Sequence, residues 1–163
     1  LSWVDLPVHL LVKMAKEIET VKCFKIECAQ AASKLRKLVV EGGDSIEGPF
    51  DGEEGITLFA DLEAGATGTM SSAMIPDLIK PVVLDYLAGD SDKSEDRYND
   101  ILPIINYENR QCGFRATKVV MKEGGVINSD FCRHPISPLE EETKLGLIKL
   151  AKKYDPIALN WGK

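Results

Sequence analysis

The 163-residue chain predicts an α/β fold, and three observations carry that prediction. Helical and extended patterns alternate through residues 1–72, as they do in βα units around a parallel sheet. The extended runs are short, and the loops after them are small and polar. Residues 73–163 then turn wholly helical. Short strands with polar loops at their exits suit an α/β barrel, which takes about 250 residues when complete. The expectation is therefore the C-terminal part of a (β/α)8 TIM barrel, about the last three βα units, followed by a C-terminal helical extension.

The elements follow in order. Leu6–Ile18 reads as a helix, because Leu6, Leu10, Leu11, Met14, Ala15 and Ile18 recur at helical spacing while Lys13 and Lys16 face outward. Asp5 is placed as its N-cap, with Pro7 in the first turn. Val21–Ile26 reads as a strand. Gln30–Val40 returns to helical spacing, with Ala31, Ala32, Leu35, Leu38 and Val39 on one side, and Glu41-Gly42-Gly43-Asp44 stops it. Ser45–Gly48 is read as a very short strand and Gly48–Gly55, GPFDGEEG, as a loop. Ile56–Ala64 is a helix stopped at Gly65, and Gly68–Ser71 is a short extended piece.

Beyond these lie helices at Pro76–Ala88, Asp92–Tyr107, Phe114–Lys122 and Pro138–Tyr154. The last is expected to be capped by Ser137, with Glu140, Glu141 and Glu142 at its positive end and Lys149, Lys152 and Lys153 at the other. Residues 1–72 form the partial barrel, in the region of strands 6–8. Residues 73–163 hold the last barrel helix and a helical region, one continuous structural unit without repeats or a linker.

Lys+Arg number 20 against Asp+Glu 26, a net charge of −6, and 44% of residues are hydrophobic. That apolar share supports one core, and the acidity argues against a nucleic-acid surface. No apolar run approaches the ~20 residues of a membrane span. The N-terminus, LSWVDLPVHL, lacks the basic start and cleavage site of a secretory signal. It also lacks an initiator Met, so the expectation is a truncated, processed or incompletely encoded product. Cys23, Cys28, Cys112 and Cys132 form no CxxC, and His9 and His134 complete no ligand pattern. They read as reduced thiols of a cytoplasmic protein with no metal and no cofactor.

One residue stands out chemically. Lys25 lies between Phe24 and Ile26 in the strand-like run VKCFKIE, Val21–Glu27. By the period of two, Cys23 and Lys25 face one way while Phe24 and Ile26 face the other, toward the helices. An amine in a partly dry strand position is suited to attack a ketone and form a Schiff base, because desolvation disfavours its charged form. The plain alternative is a strand lysine snorkelling to a sheet end. Glu27 and Cys28 fall at the strand exit. Glu27 reads either as a loop carboxylate pairing a cation or as a site-edge group that holds water or orients Lys25. Cys28 is not read as a nucleophile, since no Cys/His/Asn constellation accompanies it.

VKCFKIE, FDGEEG (Phe50–Gly55), AGATGTMSS (Ala64–Ser72) and the helical tail together resemble the C-terminal half of the dihydrodipicolinate synthase / N-acetylneuraminate lyase superfamily of class I aldolases and dehydratases. The resemblance covers essentially the whole chain. Ile105–Pro135 is similar to the branch that contains 2-keto-3-deoxy-L-arabonate dehydratases. It implies that Lys25 forms the Schiff base with a 2-oxo acid such as pyruvate or a keto-deoxy sugar acid. It implies that the loop carrying Gly52 lies near the substrate carboxylate and imine, and that Met70 lines the pocket with Thr69, Ser71 and Ser72 close by. Self-association as a homo-oligomer is also implied.

The other five of the barrel's eight units have no counterpart here. In the family they carry a threonine pair for the carboxylate and a proton-relaying tyrosine. Tyr86, Tyr98, Tyr107 and Tyr154 sit in predicted helices and are not substitutes. GPFDGEEG is not a phosphate loop, because Asp51, Glu53 and Glu54 would repel phosphate and no P-loop lysine follows. Asn106–Arg115 reads as a solvated helix junction, a subunit contact or an element over the site mouth. Arg133-His134-Pro135 reads as ordering the turn before the last helix.

The expected function is a Schiff-base-forming lyase that dehydrates a 2-keto-3-deoxy sugar acid, the isolated chain being inactive or very weak. A dihydrodipicolinate synthase-type aldolase and a non-catalytic half-barrel association module are the alternatives.

Overall fold

The computed structural model describes residues 5–161. Leu1–Val4, part of the N-terminal segment read above, lie outside the described residues, as do Gly162 and Lys163. The chain divides into two compact units, Leu1–Met70 and Ser71–Lys163.

In the first unit, helix α1 spans Val8–Glu17. Asp5 does not cap it, contrary to expectation. Pro7 is the N-cap, and the Asp5 carboxylate pairs instead with Lys34 of the next helix. Strand β1 is Cys23–Ile26 and helix α2 is Ala31–Gly42. Gly43 ends α2 with φ +48°, which a side chain rarely tolerates, and a single 3₁₀ turn, Gly43–Ser45, follows. Strand β2 is Gly48–Asp51, helix α3 is Leu58–Glu63 and strand β3 is Gly68–Thr69.

The position of β2 corrects two expectations, a strand at Ser45–Gly48 and a loop from Gly48 onward. The strand is set by what lies beside it rather than by its composition. The Phe50 ring lies across Gly68, so closely that a Cβ there would come within 2.6 Å of Cε1. Glycine in β3 is what lets that ring pack flat.

The three strands are parallel in the order β1-β2-β3. Cα partners run Lys25 with Phe50 and Phe50 with Gly68, then Ile26 with Asp51 and Asp51 with Thr69. One sheet face is covered by helices. Ile26 is buried there with Leu11 and Val12 of α1 and Ala31, Leu35 and Leu38 of α2, and Phe24 packs against the same cluster. Burying each such leucine stabilises by about 1.5–3 kcal/mol. This apolar stripe is the helical spacing of the sequence made physical.

In the second unit, α4 is Pro76–Leu87 and α5 is Ser91–Tyr107, capped by the Asp90 side chain at Lys93 N–H. Asp85 of α4 accepts from Lys93 and Arg97 of α5, and buried Ser94 donates to the Val82 carbonyl. A π-helical turn, Glu108–Cys112, precedes α6, Arg115–Glu123. Helix α7 is Glu141–Tyr154, three residues later than expected at its start. Ser137 is not its cap, because the Ser137 and Pro138 carbonyls accept from the Arg115 guanidinium, which holds that stretch outside the helix. A four-residue helix not expected from the sequence, α8 at Ile157–Asn160, closes the chain. Its first N–H, at Ile157, donates to Asp77 of α4.

Candidate active site

The alternation expected for β1 is present. Phe24 and Ile26 enter the helix-covered core, and Cys23 and Lys25 lie on the other, exposed side. The register then places Lys25, Phe50 and Gly68 in one row across the sheet. Two further bonds carry the ladder past the strand ends: Gly52 N–H donates to the Ile26 carbonyl and Met70 N–H to the Asp51 carbonyl, both at 2.9 Å. Extending the register by one residue sets Glu27, Gly52 and Met70 side by side, on the face that carries Lys25.

Lys25 Nζ is 3.0 Å from Glu27 Oε2, with the two side chains 35% and 41% exposed. Met70 is 45% exposed. Gly52 is needed for space. A Cβ on it would lie 2.6 Å from the Ile26 carbonyl oxygen and 2.9 Å from Glu27 Cβ. Its backbone thus abuts the end of β1 itself, which brings the glycine loop next to the Lys25–Glu27 pair.

The loop beyond Gly52 is pinned by a residue that sequence reading took only as a repulsive charge. Asp51 is fully buried and its carboxylate accepts from Glu53 N–H, Gly55 N–H and Thr69 Oγ1. Within the loop, Glu54 adopts φ +58° and Gly55 φ +85°. Burial pushes the Glu54 carboxyl above its ordinary value. The Lys25 ammonium pulls it down, and Glu27 and Asp51 push it up. Glu54 therefore shares the electrostatic field of Lys25, a role its place two residues after Gly52 could have signalled.

Cys28, just past β1, is half-buried, and burial pushes its thiol upward against the pull of Lys34. A raised thiol is a poor nucleophile. A cavity of about 660 Å³ opens along the edge of β1, walled by Leu11, Met14 and Phe24 and reached by Lys25, Glu27 and Glu53.

The remaining candidates lie in the second unit. Ser71 begins it, half-buried in the loop before α4. Tyr107 donates to the Thr143 carbonyl, Tyr154 to the Asp100 carbonyl, and Tyr98 is buried. In the Asn106–Arg115 stretch, Asn106 and Asn109 donate back to carbonyls one turn earlier, and Thr117 donates to buried Glu108. Among the described residues, no group of three or more His, Cys, Asp or Glu could hold a metal. No helix there is long and apolar enough to cross a membrane.

A parallel βα sheet with a lysine, a carboxylate and a glycine loop at its strand exits is an α/β protein of the kind that places its site at strand ends. The family model for the dihydrodipicolinate synthetase family matches residues 1–154, and the chain belongs to that family. It is 49% identical over 160 residues to an L-2-keto-3-deoxyarabonate dehydratase of Azospirillum brasilense, covering 98% of this chain and 52% of that protein. The chain thus spans about half the length of that relative. Among solved structures, dihydrodipicolinate synthase from Aquifex aeolicus superposes with a TM-score of 0.84 at 20% identity, over 94% of this chain and 52% of that one. The synthase from Thermotoga maritima gives 0.82 at 18% identity, over 93% and 52%. These likenesses establish the fold: the family's α/β architecture with its helical part, as a portion of a longer arrangement consistent with part of a TIM barrel.

Proposed function

We propose that this chain is the C-terminal half of a Schiff-base-forming lyase, with β1, β2 and β3 as strands 6–8 of the barrel and Lys25 as the amine that bonds to a 2-oxo acid. The observation that carries the reading is the register, which aligns Glu27, Gly52 and Met70 at the strand ends on the face of Lys25. The 49% identity to a keto-deoxy sugar-acid dehydratase favours water loss as the reaction.

The Lys25 amine attacks C2 of the oxo acid, and loss of water leaves a protonated imine. That imine draws electrons from the C3–H bond. The proton leaves C3, an enamine forms, and the enamine expels the C4 hydroxyl, which departs as water after taking a proton. Hydrolysis of the new imine returns the free amine. An ammonium cannot attack, so Lys25 must first give up a proton. Glu27, 3.0 Å away, is in place to take it. Gly52 offers backbone rather than a side chain to the oxo acid, and Met70 lines the wall beside it. The groups that bind the substrate carboxylate and relay protons belong to the part of the barrel with no counterpart here, so the isolated chain is inactive or very weak.

Borohydride reduction in the presence of pyruvate, followed by peptide mapping, tests this. The chain is joined to the first half of the Azospirillum dehydratase and shown to be folded by circular dichroism. A reduced adduct on Lys25 is expected, and a folded chimera with none there contradicts the reading. Product analysis separates water loss from the carbon–carbon bond chemistry of an aldolase.

A further inference from the structure

We propose that Asp61 shares a proton with Asp51 by donating a hydrogen bond to it, and that this shared proton sets the shape of the Gly52–Gly55 loop. Asp51 is then a positioning residue: it acts on the site only through the loop it holds. The loop's service to a bound oxo acid rests on the reading above. The shared proton does not.

The geometry divides the two carboxyls. Both side chains are fully buried. Asp51 receives three donors on its two oxygens, two loop N–H groups at 3.1 Å and the Thr69 hydroxyl. That is the environment of a carboxylate anion. Among the described residues, Asp61, on α3, receives only the Thr57 hydroxyl at Oδ2, 2.7 Å away, while its Oδ1 is buried without a donor. An orphaned buried carboxylate oxygen is costly, and two ionised carboxylates in contact are costlier. A proton on Asp61, donated to Asp51, removes both costs. Asp51 is the hydrogen-bond partner that helps push the Asp61 carboxyl up.

The surrounding charges agree. Burial above all, joined by Asp51 and Glu53 and opposed by the Thr57 hydrogen bond, pushes the Asp61 carboxyl up to about 6. Cys28, just past β1, has its thiol pushed up by burial, with Asp61 among the charges that add to the rise. An unfolded aspartate releases its proton near 3.8, whereas folded Asp61 keeps its own to about 6. Between those values the folded state binds the extra proton. The fold therefore weakens as pH rises through that window. Above it, Asp61 no longer has a proton to donate to Asp51.

The test is amide hydrogen exchange, read as protection factors at Glu53 and Gly55 from pH 4.5 to 7.5. Protection in the unmodified chain falls at least about tenfold as pH rises toward 6 and is level above it, the change a one-unit difference in pKa between closed and open loop produces. Asp61→Asn supplies a permanent amide donor to Asp51, so it keeps the protection and loses the step. Asp51→Asn loses protection at every pH. A flat profile in the unmodified chain, or a step that survives Asp61→Asn, overturns the proposal. Should Asp61→Asn not fold, carboxyl carbon shifts of the unmodified chain decide: one aspartate must titrate near 6, and none doing so refutes the shared proton. Borohydride trapping is independent of all these readouts. Loss of the Lys25 adduct with the loop step intact sinks only the functional reading.

Discussion

Lys25 and Glu27 meet on one face at the exit of β1, Nζ 3.0 Å from Oε2, with Gly52 backed against the same strand end. The two side chains are 35% and 41% exposed. An ion pair so placed contributes about 0–1 kcal/mol.

Lys25→Met should leave the urea midpoint almost unchanged, within the equivalent of about 1 kcal/mol. In the folded chimera it should abolish borohydride trapping. A large loss of stability would mean that the amine is a structural partner instead.

Glu27→Gln keeps the shape of the pair and removes the proton acceptor. Trapping at Lys25 should slow by on the order of 10²-fold near neutral pH, the usual scale of general-base assistance. An unchanged rate would remove Glu27 from the proton path.

Gly52→Ala should destabilise the first unit by roughly 1–3 kcal/mol, the cost of forcing a methyl into filled space. The obstacle is the Ile26 carbonyl at 2.6 Å, and backbone yields poorly. Leu35→Ala, at a fully buried site in the α2 stripe, should cost about 2–5 kcal/mol by leaving a cavity. Urea denaturation measures both.

Asp130 accepts from Lys122 of α6 and pairs with Lys144 of α7. The Lys122 contact, opposed by some desolvation and assisted by Lys144, holds its carboxyl down to about 2. A depressed carboxyl contributes stability that is complete above the unfolded value near 3.8 and is lost as pH falls toward 2. Asp130→Asn should therefore lower thermal stability at pH 7 and flatten its decline between pH 4 and 2. An unchanged acid limb would show that the ion pairs contribute nothing.

Periodicity made the helices legible. The apolar spacings of α1 and α2 survive as the stripe around Leu11, Leu35 and Leu38, and the alternation at Lys25 survives as two opposite faces. What failed depended on partners far away in the chain. β2 was misplaced because Gly48-Pro49-Phe50-Asp51 has little strand propensity of its own. It forms because β1 and β3 flank it and Gly68 admits the Phe50 ring. Asp5 and Ser137 are good caps in isolation, but Lys34 takes the first and Arg115 holds the stretch of the second. α8 depends on Asp77, 80 residues earlier. At the site, Lys25, Glu27, Gly52 and Met70 were singled out in the sequence, whereas Glu54, Asp51 and Asp61 were not. Their importance arises from burial and from one another, which no local pattern displays.

The most direct measurement is the mass of the Lys25 peptide after borohydride reduction of the folded chimera with pyruvate. The account predicts one reduced pyruvyl adduct, on Lys25 and absent from Lys25→Met. An unmodified Lys25 peptide from a folded chimera, or an adduct on another lysine, would contradict it.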